Sequence, residues 1–138
     1  MPIWQFEILR DPNKIIKIAF LAGAVTDAAA ILPMVFPQIA EIIWGFSAFS
    51  KQYFFAMGYG ATFMLAWTFL LIWAYFKPKE RNFVAPLTMI VIIGFFVTEL
   101  YLILDGLLDP IKLIPTWILK IALLSLFSIG YCQSIKEE

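Results

Sequence analysis

Polar and hydrophobic positions do not alternate along this chain. Hydrophobic residues run almost unbroken in four stretches, at about 15–36, 53–76, 83–104 and 116–135, with short polar connections between them. About 20 apolar residues in a helix cross a hydrocarbon core roughly 30 Å thick, and each stretch meets that length. The pattern therefore predicts an all-α membrane protein, a four-transmembrane-helix bundle. The connections leave no room for a soluble domain, so residues 1–138 are expected to form one transmembrane domain.

Between the first two stretches, Ile39, Ile42, Ile43 and Phe46 recur at i, i+3, i+4 and i+7, which is one apolar helical face. Two to three turns cannot span a bilayer. The segment is read as a short interfacial helix, either a membrane anchor or a lid over a space between the long helices. Residues 2–9 mix aromatic and polar side chains and are expected on the membrane surface. Asp11-Pro12 is a helix-start pair, a capping carboxylate followed by proline at the first helical position. Lys14 and Lys17 then snorkel toward headgroups.

Small residues mark expected contact faces. Ala19, Gly23, Thr26, Asp27 and Ala30 share one side of the first stretch, and Ala56 and Gly60 form a small-xxx-small pair in the second. Trp73, Tyr75 and Phe76 make an aromatic belt. The tight polar turn over 77–82 makes the second and third stretches antiparallel neighbours. Gly94, Thr98, Tyr101 and Asp105 form a polar stripe expected to face protein, and the fourth helix is expected to begin at Pro115-Thr116.

Composition sharpens this picture. Hydrophobic residues make up 62% of the chain and charged residues 14%, and the mean hydropathy is +0.88. Soluble domains hold about 25% charged residues. No histidine is present and Cys132 is the only cysteine, which excludes a histidine-based triad, an intramolecular disulfide and a CxxC metal site. No cofactor and no metal are expected. The zero net charge gives no long-range attraction for nucleic acid. The first stretch carries Asp27 and exceeds a signal-peptide core in length, so it is expected to remain as a membrane helix.

Lysine and arginine set the expected orientation. Arg10, Lys14, Lys17, Lys77, Lys79, Arg81 and Lys136 fall at the end holding both termini, against Lys51, Lys112 and Lys120 at the other. Both termini are expected in the cytoplasm, in a multi-pass protein of the plasma or inner membrane.

Candidate chemistry rests on ionisable groups inside the apolar stretches, because a charge near the bilayer centre costs at least about 2.5 kcal/mol. Counted along the helices, Asp27 lies roughly 13 Å deep, Glu99 roughly 8 Å and Lys120 roughly 6 Å from the end opposite the termini. Glu99 and Lys120 are expected to pair. A ligand pocket is placed around Asp27, Glu99 and Lys120, with Tyr59, Tyr101, Thr98 and Trp67 beside them. The competing reading is a structural ion pair and a neutral, hydrogen-bonding Asp27. No catalytic residue is assigned. Ser125 and Lys120, five apart, share no helical face for Ser–Lys chemistry.

Several segments resemble a group of small four-helix membrane proteins of bacteria and archaea whose function is uncharacterised: Asp27-Ala-Ala-Ala-Ile-Leu-Pro33-Met, Gly45-Phe, Met57-Gly-Tyr-Gly-Ala, Trp67-Thr, Trp73-Ala-Tyr and Lys77-Pro-x-Glu80-Arg81-x-Phe-Val. That resemblance covers about residues 15–104 and implies the fold alone. More weakly, Asp27 with Leu32-Pro33 and Glu99 are similar to positions in the EXPERA group of sterol isomerases and sigma-2-type receptors. There, carboxylates inside the bundle meet a cationic or sterol-like ligand. The second stretch here has no carboxylate, which departs from that pattern.

Three roles remain open. The leading one is non-enzymatic: binding of a lipid-like or hydrophobic small molecule, or packing as an accessory subunit in a homo-oligomer or beside a partner membrane subunit. The second is an EXPERA-like isomerase using Asp27 and Glu99, and the third is proton or ion passage. Membrane lipid is the expected surrounding partner.

Overall fold

The structure, a computed structural model, describes residues 12–136. Asp11 and the surface segment expected over 2–9 lie outside the described residues. Among the described residues there are five helices and no strand: α1 Pro12–Val35, α2 Pro37–Trp44, α3 Lys51–Phe76, α4 Val84–Leu104 and α5 Pro110–Ile135. The four long ones are apolar and long enough to cross a membrane. The shortest of them, α4, has 21 residues, or roughly 32 Å at 1.5 Å rise per residue. The architecture is an all-α four-helix bundle with a short extra helix, α2, between its first two spans.

Local chemistry sets the breaks. Phe36 precedes Pro37 and is extended at φ −109° and ψ 107°, as the clash with a following proline ring favours, so α1 and α2 are separate helices. Gly45 ends α2 at φ 75°, in the left-handed region, and its N–H reaches the Glu41 carbonyl. Ser50 caps α3 by accepting from the Tyr53 N–H at 3.1 Å.

The fourth span begins earlier than Pro115-Thr116. Asp109 caps α5, its Oδ1 accepting from the Ile111 N–H at 2.9 Å, and Pro110 occupies the first turn. This is the same Asp-Pro signal found at residues 11–12. Pro115 lies inside the helix and forfeits one backbone hydrogen bond there.

Helix α1 is the centre of the bundle and packs along α3 and α5, while α4 packs mainly on α5. Small residues make this possible. A Cβ on Gly130 of α5 would stand 2.9 Å from the Ile16 Cα of α1, and one on Gly23 would stand 3.0 Å from the Phe127 ring. Ile16, Ala19, Phe20, Leu71 and Phe127 form the core of this crossing. Phe20 and Phe127 meet edge to face at 5.9 Å.

Two expectations are corrected. Helices α3 and α4 do not pack along their length despite the tight turn joining them. Gly58 and Gly94 both face open space, so no small-residue seam draws the two together. Their side-chain link is Trp67 Nε1 donating to Thr88 Oγ1 at 3.3 Å. Likewise, the stripe of Gly94, Thr98, Tyr101 and Asp105 is exposed rather than turned to protein. The Thr98 hydroxyl donates to the Gly94 carbonyl within its own helix, so it needs no partner across an interface. In α2, Ala40 is fully buried and Ile42 is 77% exposed, so one side of the short helix packs on the bundle while the other faces outward.

Candidate functional site: an intramembrane cavity with three ionisable side chains

At the end of the bundle where α2 lies, the helices part around a cavity of about 480 Å³. Thr26, Asp27, Ala30 and Met34 of α1 form one wall. Ile92, Phe95 and Glu99 of α4 face them, Thr116, Lys120 and Leu123 of α5 stand between, and Met64 comes from α3. Ile43 and Trp44 of α2 also line the space, so the short helix covers part of it. The volume falls within the range of ligand sites, about 300–1,000 Å³, and the mainly apolar wall with a few convergent polar groups matches their usual make-up.

Glu99 and Lys120 are joined across α4 and α5. Lys120 Nζ donates to Glu99 Oε1, and both side chains are only about one-sixth exposed, at 15% and 16%. The second carboxylate oxygen, Oε2, accepts from Trp117 Nε1 at 2.7 Å. Both oxygens of Glu99 are thus engaged by protein. The ammonium of Lys120 also lies 5.8 Å and 5.6 Å from the ring centres of Phe95 and Phe96, within reach of a cation–π attraction. Such satisfaction is what a buried pair requires, since the attraction must offset the cost of removing two charges from water.

Asp27 is different. It is half-buried and lines the same cavity, yet among the described residues none makes a hydrogen bond or ion pair with its carboxyl. The adjacent hydroxyl, Thr26 Oγ1, donates instead to the Ala22 carbonyl at 2.8 Å. Asp27 is the polar group of this cavity left available to whatever occupies it.

The structure therefore brings Asp27, Glu99 and Lys120 to one space and keeps the other four candidates out. Tyr59 and Tyr101 are 60% and 66% exposed on the outer surface. Thr98 is exposed and bonded to its own helix. Trp67 packs against the core and bonds Thr88. Helical geometry accounts for this: at about 100° per residue, Tyr101 is turned roughly 200° from Glu99 and faces away from it.

Trp117 is a site residue absent from the sequence-based set. It stands three residues before Lys120, a spacing that puts both on one helical face, and that spacing was the available signal. Thr116, one turn before Lys120, follows the same logic. Trp44 carried no such signal, because its place depends on how α2 folds back. Among the described residues no three His, Cys, Asp or Glu side chains gather in a way that could hold a metal ion.

The fold and site define a class: a polytopic α-helical membrane protein with a partly polar cavity between its spans. No protein-family model matches the chain, and comparison with curated proteins and with solved structures finds no match.

Proposed function

We propose that this protein binds an amphiphilic, lipid-like molecule in the cavity between α1, α4 and α5, without chemical conversion. The observation that carries the reading is a mostly apolar space of about 480 Å³ holding one carboxyl, Asp27, that no described protein group engages. The apolar body of a ligand would meet Ala30, Met34, Met64, Ile92 and Phe95. Its hydroxyl or amine would meet Asp27. Burying apolar surface gives roughly 25 cal/mol per Å², and the single polar contact fixes orientation.

An isomerase would need a carboxyl pair free to exchange protons with substrate, and Glu99 is occupied by Lys120 and Trp117. Ion passage needs a polar path, whereas Phe20, Leu71 and Phe127 pack below Asp27 as an apolar plug. Both features favour binding over the alternatives. Packing as an accessory subunit is compatible with the exposed polar stripe of α4, but it gives the cavity no role.

We also propose a cell-membrane location with both termini cytoplasmic. Lys14, Lys17, Lys77, Lys79, Arg81 and Lys136 gather at one end of the bundle, and the pairing of Lys120 with Glu99 leaves only Lys51 and Lys112 at the other.

Extraction in mild detergent followed by native mass spectrometry tests the binding reading. A molecule retained by the natural protein and lost from Ala30→Phe, which fills the cavity, supports it. Equal occupancy in both, or none in either, refutes it.

A further inference from the structure

The cavity at Asp27 is not closed on every side, and its walls show where it opens. Among the described residues that line it, three are exposed: Val25 and Ala29 of α1 and Leu119 of α5. All three are apolar. Val25 is 64% exposed and Leu119 45%. At about 100° per residue, Val25 and Ala29 each stand roughly 160° around α1 from Asp27, on the far side of the same helix. A cavity that touches both sides of α1 must run around its flank, past Thr26 and Ala30, and emerge on the outer surface of the bundle.

The depth of this opening sets what can pass. Ala29 and Val25 stand six and ten residues before the end of α1 at Val35, and Leu119 stands nine residues after the start of α5 at Pro110. At 1.5 Å rise per residue these are roughly 9, 15 and 14 Å from that end of the bundle. That is the level of acyl chains in a bilayer whose hydrocarbon core is about 30 Å thick. Further in, the seam between α1 and α5 is shut, because Gly23 sits against the Phe127 ring. The end nearest water is covered by Ile43 and Trp44 of α2. Helix α2 in turn rests on α5, where the Lys112 side chain lies against Gly45. The opening therefore faces hydrocarbon, and its exposed edges are apolar.

We infer that the occupant enters from the acyl-chain layer through the gap between α1 and α5, and that it is a neutral lipid with a hydroxyl at one end of a long hydrocarbon chain. This rests on the proposed binding role of the cavity and names the class of molecule bound. The hydroxyl donates to a carboxyl oxygen of Asp27. The chain passes out over Val25, Ala29 and Leu119 into the bilayer, whose tails are as apolar as these side chains. A phosphate or quaternary ammonium group would have to leave water and cross the same apolar edge, which is costly for a fixed charge. Inside, Glu99 and Lys120 satisfy each other, so neither offers a charge to compensate that cost. A water-soluble ligand would meet α2 first.

The test is a titration of the full-length protein in mild detergent with monooleoylglycerol or oleoyl lysophosphatidylcholine, which share one acyl chain and differ in head charge, read by native mass spectrometry. Monooleoylglycerol should bind at least about tenfold more tightly, since the other head brings fixed charges into apolar surroundings. Ala29→Trp and Leu119→Trp, one on each edge of the gap, should each weaken monooleoylglycerol about tenfold by filling the path of its chain. Ala28→Trp, exposed on α1 but away from the cavity wall, should leave binding unchanged. Equal affinity for the two lipids overturns the inference. So does unchanged affinity in both edge variants while Ala30→Phe still abolishes binding, a result that keeps the cavity as the site and removes only the side entry. Binding that Ala30→Phe leaves intact refutes the cavity as the site, and the inference with it.

Discussion

Replacing Lys120 by methionine should be among the most damaging single changes in this protein, and the reason can be worked from the geometry. The substitution keeps much of the side-chain volume and removes the ammonium. Glu99 then stays on the cavity wall, about 15% exposed, with only the Trp117 N–H still donating to it. Removing one partner of a buried pair costs about 3–5 kcal/mol because the other charge is left uncompensated. The surviving Trp117 bond places the expected loss near the lower end, about 3 kcal/mol. Glu99→Gln leaves the ammonium unpaired beside two aromatic rings and should cost a similar amount. The double variant removes both charges and should lie within about 1 kcal/mol of the natural protein. The coupling energy between the two positions is then several kcal/mol, well above the roughly 0.5 kcal/mol within which independent sites add. Reversible unfolding in mixed micelles of mild detergent and dodecyl sulfate, followed by tryptophan fluorescence, measures all three variants. Additive losses would refute the pairing argument.

Three further outcomes follow from other parts of the molecule. Gly130→Ala should destabilise the bundle by about 1–3 kcal/mol through overpacking against the Ile16 backbone, whereas Gly58→Ala, which meets nothing, should be neutral or slightly stabilising in the same unfolding assay. Asp27→Asn should fold with unchanged stability and lose the molecule retained in the cavity; retention equal to the natural protein in native mass spectrometry would remove Asp27 from the site. In a Cys132→Ser background, a cysteine at Leu107 should react with an impermeant maleimide added outside intact cells and one at Lys79 should not, and the reverse pattern would invert the proposed orientation.

The number of spans was legible in the sequence because hydrophobic length is a property of each segment alone. Four windows long enough to cross a bilayer are four helices, whatever they later touch. The Glu99–Lys120 contact was legible for a related reason: two charges on successive antiparallel helices have few other ways to avoid lipid. The start of α5 precedes the expected Pro115-Thr116 because Asp109-Pro110 opens the helix, and the signal is the same cap-and-proline pair that the sequence offers at residues 11–12.

What the sequence alone did not determine is which helix stands in the middle and which way each polar face turns. Adjacent spans joined by a tight turn, α3 and α4, make few contacts, while α1 takes the centre. That choice depends on where glycines on different helices happen to match large side chains, as Gly130 matches Ile16 and Gly23 matches Phe127. The cavity is a consequence of the same packing. It exists because α4 leans on α5 rather than α3, and because α2 folds Trp44 back over the opening. Local pattern sets how long each helix is, but a space between helices belongs to no single segment and is fixed only when all of them meet.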